Sequence, residues 1–277
     1  MEIIKDVKQL RSYLAGKTRI GCVPTMGNIH AGHLSLVKLA LRKSDTVVTT
    51  IFVNRLQFNQ NSDFDRYPRT LNNDLKLLKE VGNNVVFCPD EREMYPESQK
   101  YFIDPPKIAK KLEGRFRPDH FRGVCTIVLK LFNMVSPDVA VFGKKDYQQL
   151  AIIKGLVRQF SMPIEIISGE TIRERTGLAL SSRNVHLSSQ EKIEAPRLQG
   201  SMRLIYDAIK SGDRNFVAME YAAGESLARH GWIVDYVVIR TQDGLLRPSN
   251  KDKKFVILGA ASLGKTRLID DLEVESP

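Results

Sequence analysis

Two histidines three positions apart, His30 and His33, stand in the string TMGNIHAGH, Thr25 to His33, with Ala31 and Gly32 between them. An apolar, β-branched run at Thr18–Val23 precedes the string and predicts a strand; an amphipathic helix is predicted from near Ala31. A strand, a glycine-bearing turn and a helix N-terminus together make an anion site. The first N–H groups of the helix have no intrahelical partner, and the helix dipole favours negative charge there. Two imidazoles at the same place add donors for phosphate oxygens, and Gly27 and Gly32 let the backbone come close to a ligand. The chemistry indicated is the handling of a nucleotide polyphosphate.

The HxGH signature resembles that of the class I nucleotidyltransferase superfamily, which includes the class I aminoacyl-tRNA synthetases. By itself it equally describes two surface histidines at a helix start. Four further strings stand with it. FVNRLQFNQNSDFDRYPRTLNNDL brings Asn54 and Gln57, uncharged donors and acceptors suited to hydroxyl and carboxylate recognition, though it also fits a capped loop. LEGRFRPDHFRGV sets His120 and several arginines ahead of a helix. VFGKKDYQQL offers Gly143, Lys144, Lys145, Asp146, Gln148 and Gln149. A lysine there can neutralise phosphate charge, and an aspartate can accept from ribose hydroxyls. TIRERTGLALSSRN ends on Ser181, Ser182 and Arg183, a small-residue loop with a cation, apt for a phosphate tail.

These strings need a frame, and the apolar pattern supplies one. Strands are predicted at Thr18–Val23, Thr46–Val53, Val85–Cys88, Val139–Phe142 and Ile164–Ile167, with helices between them at Ala31–Lys43, Leu71–Val81, Val124–Val135 and Tyr147–Phe160. Such alternation implies a Rossmann-like, doubly wound parallel sheet that binds ligands beyond its C-terminal strand ends. TMGNIHAGH, FVNRLQF and FGKKDYQQ each begin at such an end. The pattern changes after Ile167. A polar segment, Ser168 to Ser189, leads to helical stretches near Gln190–Ser211 and Asn215–His230, then to strands at Ile233–Arg240, Phe255–Gly259 and Thr266–Asp270. The expectation is an α/β N-terminal domain over 1–175 and a smaller α+β domain with antiparallel pairing over 176–277.

Composition bounds the function classes. The chain has 277 residues, 42% hydrophobic and 27% charged, as in ordinary globular proteins. No apolar run approaches the about 20 residues of a membrane helix. MEIIKDVKQL has no signal-peptide core, so a cytoplasmic location is expected. Cys22, Cys88 and Cys125 are too scattered for a disulfide framework or a zinc site. The net charge of +10 raises the question of nucleic acid, but the cations are dispersed. The densest segment, Lys107 to Arg122, fits either a phosphate pocket or a solvated face.

Taken together, VPTMGNIHAGHLSLV, IFVNRLQF, DFDRYPRTL, HFRGVCTIVLKLFN, FGKKDYQQL and GLALSSRN, in this order and spacing, resemble the pantoate–β-alanine ligase (pantothenate synthetase) family over nearly the whole chain. The resemblance implies synthesis of pantothenate in two steps. ATP and pantoate give pantoyl adenylate and pyrophosphate; the amine of β-alanine then displaces AMP. It implies ATP as a substrate, Mg2+ with it, and a homodimer.

By that resemblance Met26, Gly27, Asn28, Ile29, His30, Ala31, Gly32 and His33 form the nucleotide segment, with His30 and His33 on the phosphates and His33 as the family's proton donor. Gln57 and Gln149 hold pantoate, Asn54 assists, and His120 borders the pantoate pocket. Gly143, Lys144, Lys145 and Asp146 contact the nucleotide, Lys145 facing phosphate and Asp146 ribose. Leu180, Ser181, Ser182 and Arg183 form a second phosphate loop, and Ile172 makes the backbone contact to adenine. Asp74 is a candidate for the magnesium region.

Three positions depart from the family pattern. Arg55 stands where proline is usual, Lys144 where glutamate is usual, and Thr176 where aspartate is usual before Gly177. Each makes the surroundings more positive, and the expectation is retained activity with altered pantoate affinity. Separately, Gly259 to Thr266, GAASLGKT, matches the P-loop pattern after a strand. A P-loop must open onto a helix and needs a later carboxylate strand, yet TRLIDDLEV reads as a strand near the end of the chain. Two rival classes remain at this point. One is a nucleotidyltransferase that keeps its adenylylated product, which leaves Gln57 and Gln149 unexplained. The other is a basic nucleic-acid binder, which lacks any recognised module.

Overall fold

The computed structural model describes residues 1–58 and 61–277. It divides into two compact units, one formed by 1–143 with 152–169 and the other by 144–151 with 170–277. The sequence pattern puts the division near residue 175; tertiary contacts place it at Gly169, and the short segment 144–151 goes with the second unit.

In chain order the first unit contains β1 (Glu2–Ile4), α1 (Val7–Leu14), β2 (Ile20–Thr25), α2 (Ala31–Leu41), β3 (Thr46–Ile51), α3 (Asn61–Arg66), α4 (Leu71–Glu80), β4 (Val85–Phe87), α5 (Glu91–Met94), α6 (Glu113–Phe116), α7 (His120–Val135) and β5 (Val139–Gly143). α8 (Tyr147–Gln159) and β6 (Glu165–Gly169) follow. All six strands are parallel, in the order β1-β4-β3-β2-β5-β6. The order reverses between β2 and β5, so the ligand crevice of this sheet lies outside the C-terminal ends of those two strands. TMGNIHAGH begins as β2 ends.

The strands bury both faces, which is why they read as apolar runs rather than alternating ones. Val23, Val47, Val86, Val139 and Val141 pack with Val37 and Ala40 of α2 and Leu78 of α4. Ile29, in the histidine turn, is 5% exposed and belongs to the same cluster. The turn is therefore tethered to the core from below. β1 is absent from the sequence pattern because it is a three-residue edge strand, too short for a periodic signal.

The second unit holds α9 (Ser189–Glu194), α10 (Arg197–Lys210), α11 (Phe216–Arg229), β7 (Ile233–Thr241), β8 (Lys254–Leu263) and β9 (Thr266–Glu275). The three strands form an antiparallel sheet ordered β7-β8-β9. Its inner face meets α10 and α11 through Met202, Ile205, Phe216, Leu227, Trp232, Phe255 and Ile257. The single long helix expected at Gln190–Ser211 is two helices, because Pro196 has no N–H to continue the first. β8 does not stop at Gly259 but runs on to Leu263 and turns at once into β9. The GAASLGKT string is therefore a β-hairpin with Gly264 at φ 56°, and no helix follows it. That geometry is not a P-loop.

Candidate active site

The histidine turn is built from the end of β2. Thr25 accepts from the Gly27 N–H through its hydroxyl (3.2 Å), which itself donates to the Thr50 carbonyl on β3 (2.6 Å). Gly27 (φ 83°) and Asn28 (φ 52°) are both left-handed, and the chain then becomes extended at His30, the N-cap of α2. The two histidines cap each other's backbone. The Gly32 N–H donates to His30 Nδ1 (3.1 Å), and the His30 N–H donates to His33 Nδ1 (3.3 Å). The rings lie 4.0 Å apart, tilted by 34°. A backbone N–H can only donate, so both Nδ1 atoms are acceptors, and each neutral ring carries its proton on Nε2. The motif is thus a pair of Nε2–H donors fixed at a helix start.

A polar cluster sits against the same turn. Asn54 and Gln57 flank a 3₁₀ turn, Arg55–Gln57, after β3. Asn54 is 1% exposed and has all four of its hydrogen-bonding capacities filled. Its Nδ2 donates to Gln57 Oε1 (3.2 Å) and the Gly123 carbonyl (3.3 Å); its Oδ1 accepts from the Leu56 N–H (3.3 Å) and the Tyr95 hydroxyl (2.8 Å). Gln57 is thereby turned with its amide nitrogen outward, 3.1 Å from Met26 Sδ. Gly123 lets α7 approach this turn, since a Cβ there would lie 2.2 Å from the Leu56 carbonyl oxygen. His120, the first residue of α7, is buried, and its Nδ1 meets the Gln57 carbonyl at 2.9 Å. A carbonyl accepts, so His120 carries a proton on Nδ1, where His30 and His33 carry none. Met26, Asn54, Gln57 and His120 are therefore brought together. Tyr95 completes the group and leaves no trace in the sequence pattern.

Asp74, the magnesium candidate, lies in the first turn of α4 and is 1% exposed. Its oxygens accept from the Asn28 N–H (3.0 Å), the Ile29 N–H (2.8 Å) and the Thr70 hydroxyl (3.0 Å). Those donors take three of the carboxylate's about four lone-pair positions, both of those on Oδ1 included, which places it poorly for a cation. Among the described residues no cluster of three His, Cys, Asp or Glu side chains could hold a metal. Asp74 does not fit a magnesium ligand.

Arg55 points its guanidinium over the Phe64 ring (4.0 Å) and toward Glu91 (3.5 Å). Asn59 and Gln60, in the same motif, lie outside the described residues. Lys107, Lys110, Lys111 and Arg115 are exposed, and Arg122 pairs with Asp104 (2.8 Å) over Phe102. Burial pushes the Cys22 and Cys125 thiols up to about 12, so neither is a nucleophile.

In the second unit, Lys145 and Ser181 line one small cavity with Leu178, Ala179 and Asp270. Ser181 caps a 3₁₀ turn, Ser182–His186, by accepting from the Arg183 N–H (3.2 Å). The Leu180 N–H donates to the Ile172 carbonyl (2.9 Å), and Arg173 pairs with Ala179 as an antiparallel bridge, so the stretches that hold Ile172 and Leu180 lie side by side. Lys144 Nζ is held by Glu170 (2.5 Å) and Glu273 (2.7 Å). Burial works against its charge, and the two carboxylates outweigh that, so its pKa lies above the usual lysine value. Asp146 is exposed, and Gln149 is half-buried on α8.

Comparison with known proteins agrees with this fold. The family model for pantoate-beta-alanine ligase matches residues 2–273. The pantothenate synthetase of Nitrosospira multiformis is 52% identical over 274 residues, covering 99% of this chain and 98% of that protein. The crystal structure of pantothenate synthetase from Thermus thermophilus superposes with a TM-score of 0.95 at 39% identity, covering 99% of this chain and 100% of that one. The pantoate-beta-alanine ligase of Francisella tularensis, crystallised with beta-gamma ATP and beta-alanine, gives 0.82 at 34% identity, covering 98% and 97%. The chain belongs to the pantoate–β-alanine ligase family of enzymes.

Proposed function

We propose that this chain condenses (R)-pantoate with β-alanine, using ATP and a pantoyl-adenylate intermediate, through the residues named above. The observation that carries the adenylation step is the mutually capped His30–His33 pair, which presents two Nε2–H donors at the N-terminus of α2. The choice of substrates rests on the family, and on the nucleotide and β-alanine crystallised with the Francisella tularensis relative.

A pantoate carboxylate oxygen attacks the α-phosphorus; the acyl–O–P bond forms as the Pα–O bond to the β-phosphate breaks, and pyrophosphate leaves with that electron pair. Charge grows on the α-phosphoryl oxygens, and the two imidazole donors meet it. Donors of this kind are each worth about 10²–10³ in rate. No enzyme nucleophile is required. In the second step the β-alanine nitrogen attacks the acyl carbon. The C–N bond forms, the acyl C–O bond to the phosphate breaks, AMP leaves with the electron pair, and one amine proton is released. Closely held reactants supply roughly 7–11 kcal/mol of such barriers.

Gln57, oriented by Asn54, and Gln149 bind pantoate, with His120 fixing the Gln57 backbone. Met26 to His33 and Gly143 to Asp146 take the nucleotide, with Ile172 and Leu180 toward adenine. Lys145, Ser181, Ser182 and Arg183 neutralise phosphate, while Lys144 braces its segment through Glu170 and Glu273. Magnesium enters as part of the MgATP substrate. We also expect a homodimer acting in the cytoplasm, as the family resemblance implies. Among the described residues no helix is long and apolar enough to cross a membrane.

The test is pantoate-dependent exchange of labelled pyrophosphate into ATP without β-alanine, then AMP release once β-alanine is added. Exchange that needs pantoate, with AMP release that needs β-alanine, establishes both steps. Absence of exchange from a folded, ATP-binding protein overturns the reading.

A further inference from the structure

We propose that Asp74 is the positioning residue of the histidine turn: its buried carboxylate stands in for an anion in the backbone concavity at Asn28–Ile29 and so fixes where the two imidazoles point. Gly27 at φ 83° and Asn28 at φ 52° are consecutive left-handed residues. Only one of them is glycine, so the turn carries strain at Asn28 and persists only if something holds it. Consecutive residues of this kind swing successive N–H groups to one side and make an anion-binding nest. Here the Asn28 and Ile29 N–H groups both converge on Asp74, at 3.0 and 2.8 Å. The turn rests directly on the carboxylate, since a Cβ at Gly27 would lie 3.1 Å from Asp74 Oδ2.

The carboxylate is itself anchored. Thr70 donates its hydroxyl to Oδ1 (3.0 Å) from one helical turn earlier, and the N-terminal end of α4 favours the charge. A buried carboxylate must be met by donors, and hydrogen bonds to an ionised group are about twice as strong as neutral ones. The clamp therefore holds Ile29, and Ile29 is followed immediately by His30, whose ring and N–H start the reciprocal cap with His33. Two consequences follow. The Asn28 and Ile29 N–H groups are engaged by Asp74 rather than by phosphate, so the imidazoles carry the phosphate contact at this turn. Misplacing them by about 1 Å can cost on the order of 10²-fold in rate.

The inference rests on the adenylation role proposed for this turn, but one of its readouts does not. Asp74→Asn keeps size and one acceptor while removing the charge. In the nitrogen-edited NMR spectrum of the histidine side chains, the wild-type protein should show His30 and His33 as Nε2–H tautomers; Asp74→Asn should turn them into a mixture. Its kcat for pyrophosphate exchange should fall about 10–100-fold, with the pantoate KM and the magnesium concentration for half-maximal rate unchanged. Should Asp74→Asn fail to fold, Thr70→Val leaves the carboxylate in place and removes one donor, and should lower kcat about threefold with partial loss of the tautomer signature. Unchanged tautomers and unchanged kcat in a folded variant overturn the proposal. So does a shifted magnesium requirement, which would make Asp74 a metal ligand after all.

Discussion

The Tyr95 hydroxyl donates to Asn54 Oδ1 across 2.8 Å, and together with the Leu56 N–H and the Gly123 carbonyl it fixes which way two successive amides face. With Oδ1 occupied, Asn54 aims its nitrogen at Gln57 Oε1, and Gln57 then turns its own nitrogen toward Met26. Amide rotors are two-fold, and a network is what selects one state. Tyr95→Phe removes one of the groups that make the selection without opening a cavity. Asn54 is then held only by the Leu56 N–H and the Gly123 carbonyl, and its hold on Gln57 loosens. The pantoate KM should rise about 3–10-fold, the scale of one lost hydrogen bond, with kcat little changed. Steady-state kinetics at saturating ATP measures this, and an unmoved KM in a folded variant refutes the orienting role.

His30 and His33 share one cap, so they should behave as a unit. Removing His33 leaves the His30 N–H without its acceptor; removing His30 leaves the Gly32 N–H without its acceptor. Either alanine substitution therefore displaces the surviving ring. Each single variant should lose about 10²–10³ in the rate of pyrophosphate exchange, and the double variant little more than the worse single one, because residues acting as a unit are not additive. Fully multiplicative losses would show two independent donors instead.

Much of this site is legible in the sequence because it sits where periodicity is strongest. The parallel strands are continuous apolar runs, so β2 and α2 can be placed to within about two residues, and the motifs fall at strand ends. What stays hidden depends on contacts between distant residues. Thr70 and Asp74 stand one helical turn apart, a readable spacing, yet nothing local says that the Asp74 carboxylate faces Asn28 and Ile29. The family resemblance suggests magnesium for this carboxylate; its burial and its three donors come only with the tertiary fold. Tyr95 follows the four-residue helix α5 and reaches Asn54 only through the tertiary fold. The break at Pro196 is written in the sequence, and the apolar spacing on both sides of it masks the interruption.

Arg55 is the departure that lies between Asn54 and Gln57, and its side chain leaves them. The guanidinium stacks on Phe64 and approaches Glu91, so its charge is met at the surface rather than beside Gln57. The backbone it shares with Asn54 and Leu56 is already fixed by the Asn54 cap. Arg55→Pro should therefore retain kcat and change the pantoate KM by no more than about fivefold, the range set by an exposed ion pair worth about 0–1 kcal/mol. A larger change in KM would mean that the arginine reaches the substrate after all.

Asp270 and Asp271 adjoin on β9, and Arg173 serves them unequally. Its two arms donate to the Asp270 carboxylate at 2.6 and 2.8 Å, whereas Asp271 receives only a backbone contact from it and the Thr171 hydroxyl on its side chain. Burial, opposed by the Thr171 hydrogen bond, pushes Asp271 up to about 6 from its usual 3.8. A raised carboxylate pKa means that the fold favours the protonated form. Its contribution to stability is complete below about pH 4 and is lost as pH rises through about 6, leaving a deficit on the order of 3 kcal/mol at neutral pH. Asp271→Asn keeps an acceptor for Thr171 and removes the charge. The variant should melt higher than the parent at pH 7.5, and the difference should vanish as pH falls from 6 to 4. Thermal unfolding of both proteins across that window decides the matter. A variant that melts lower at pH 7.5, or tracks the parent at every pH, would show that the Asp271 charge is compensated by its neighbours.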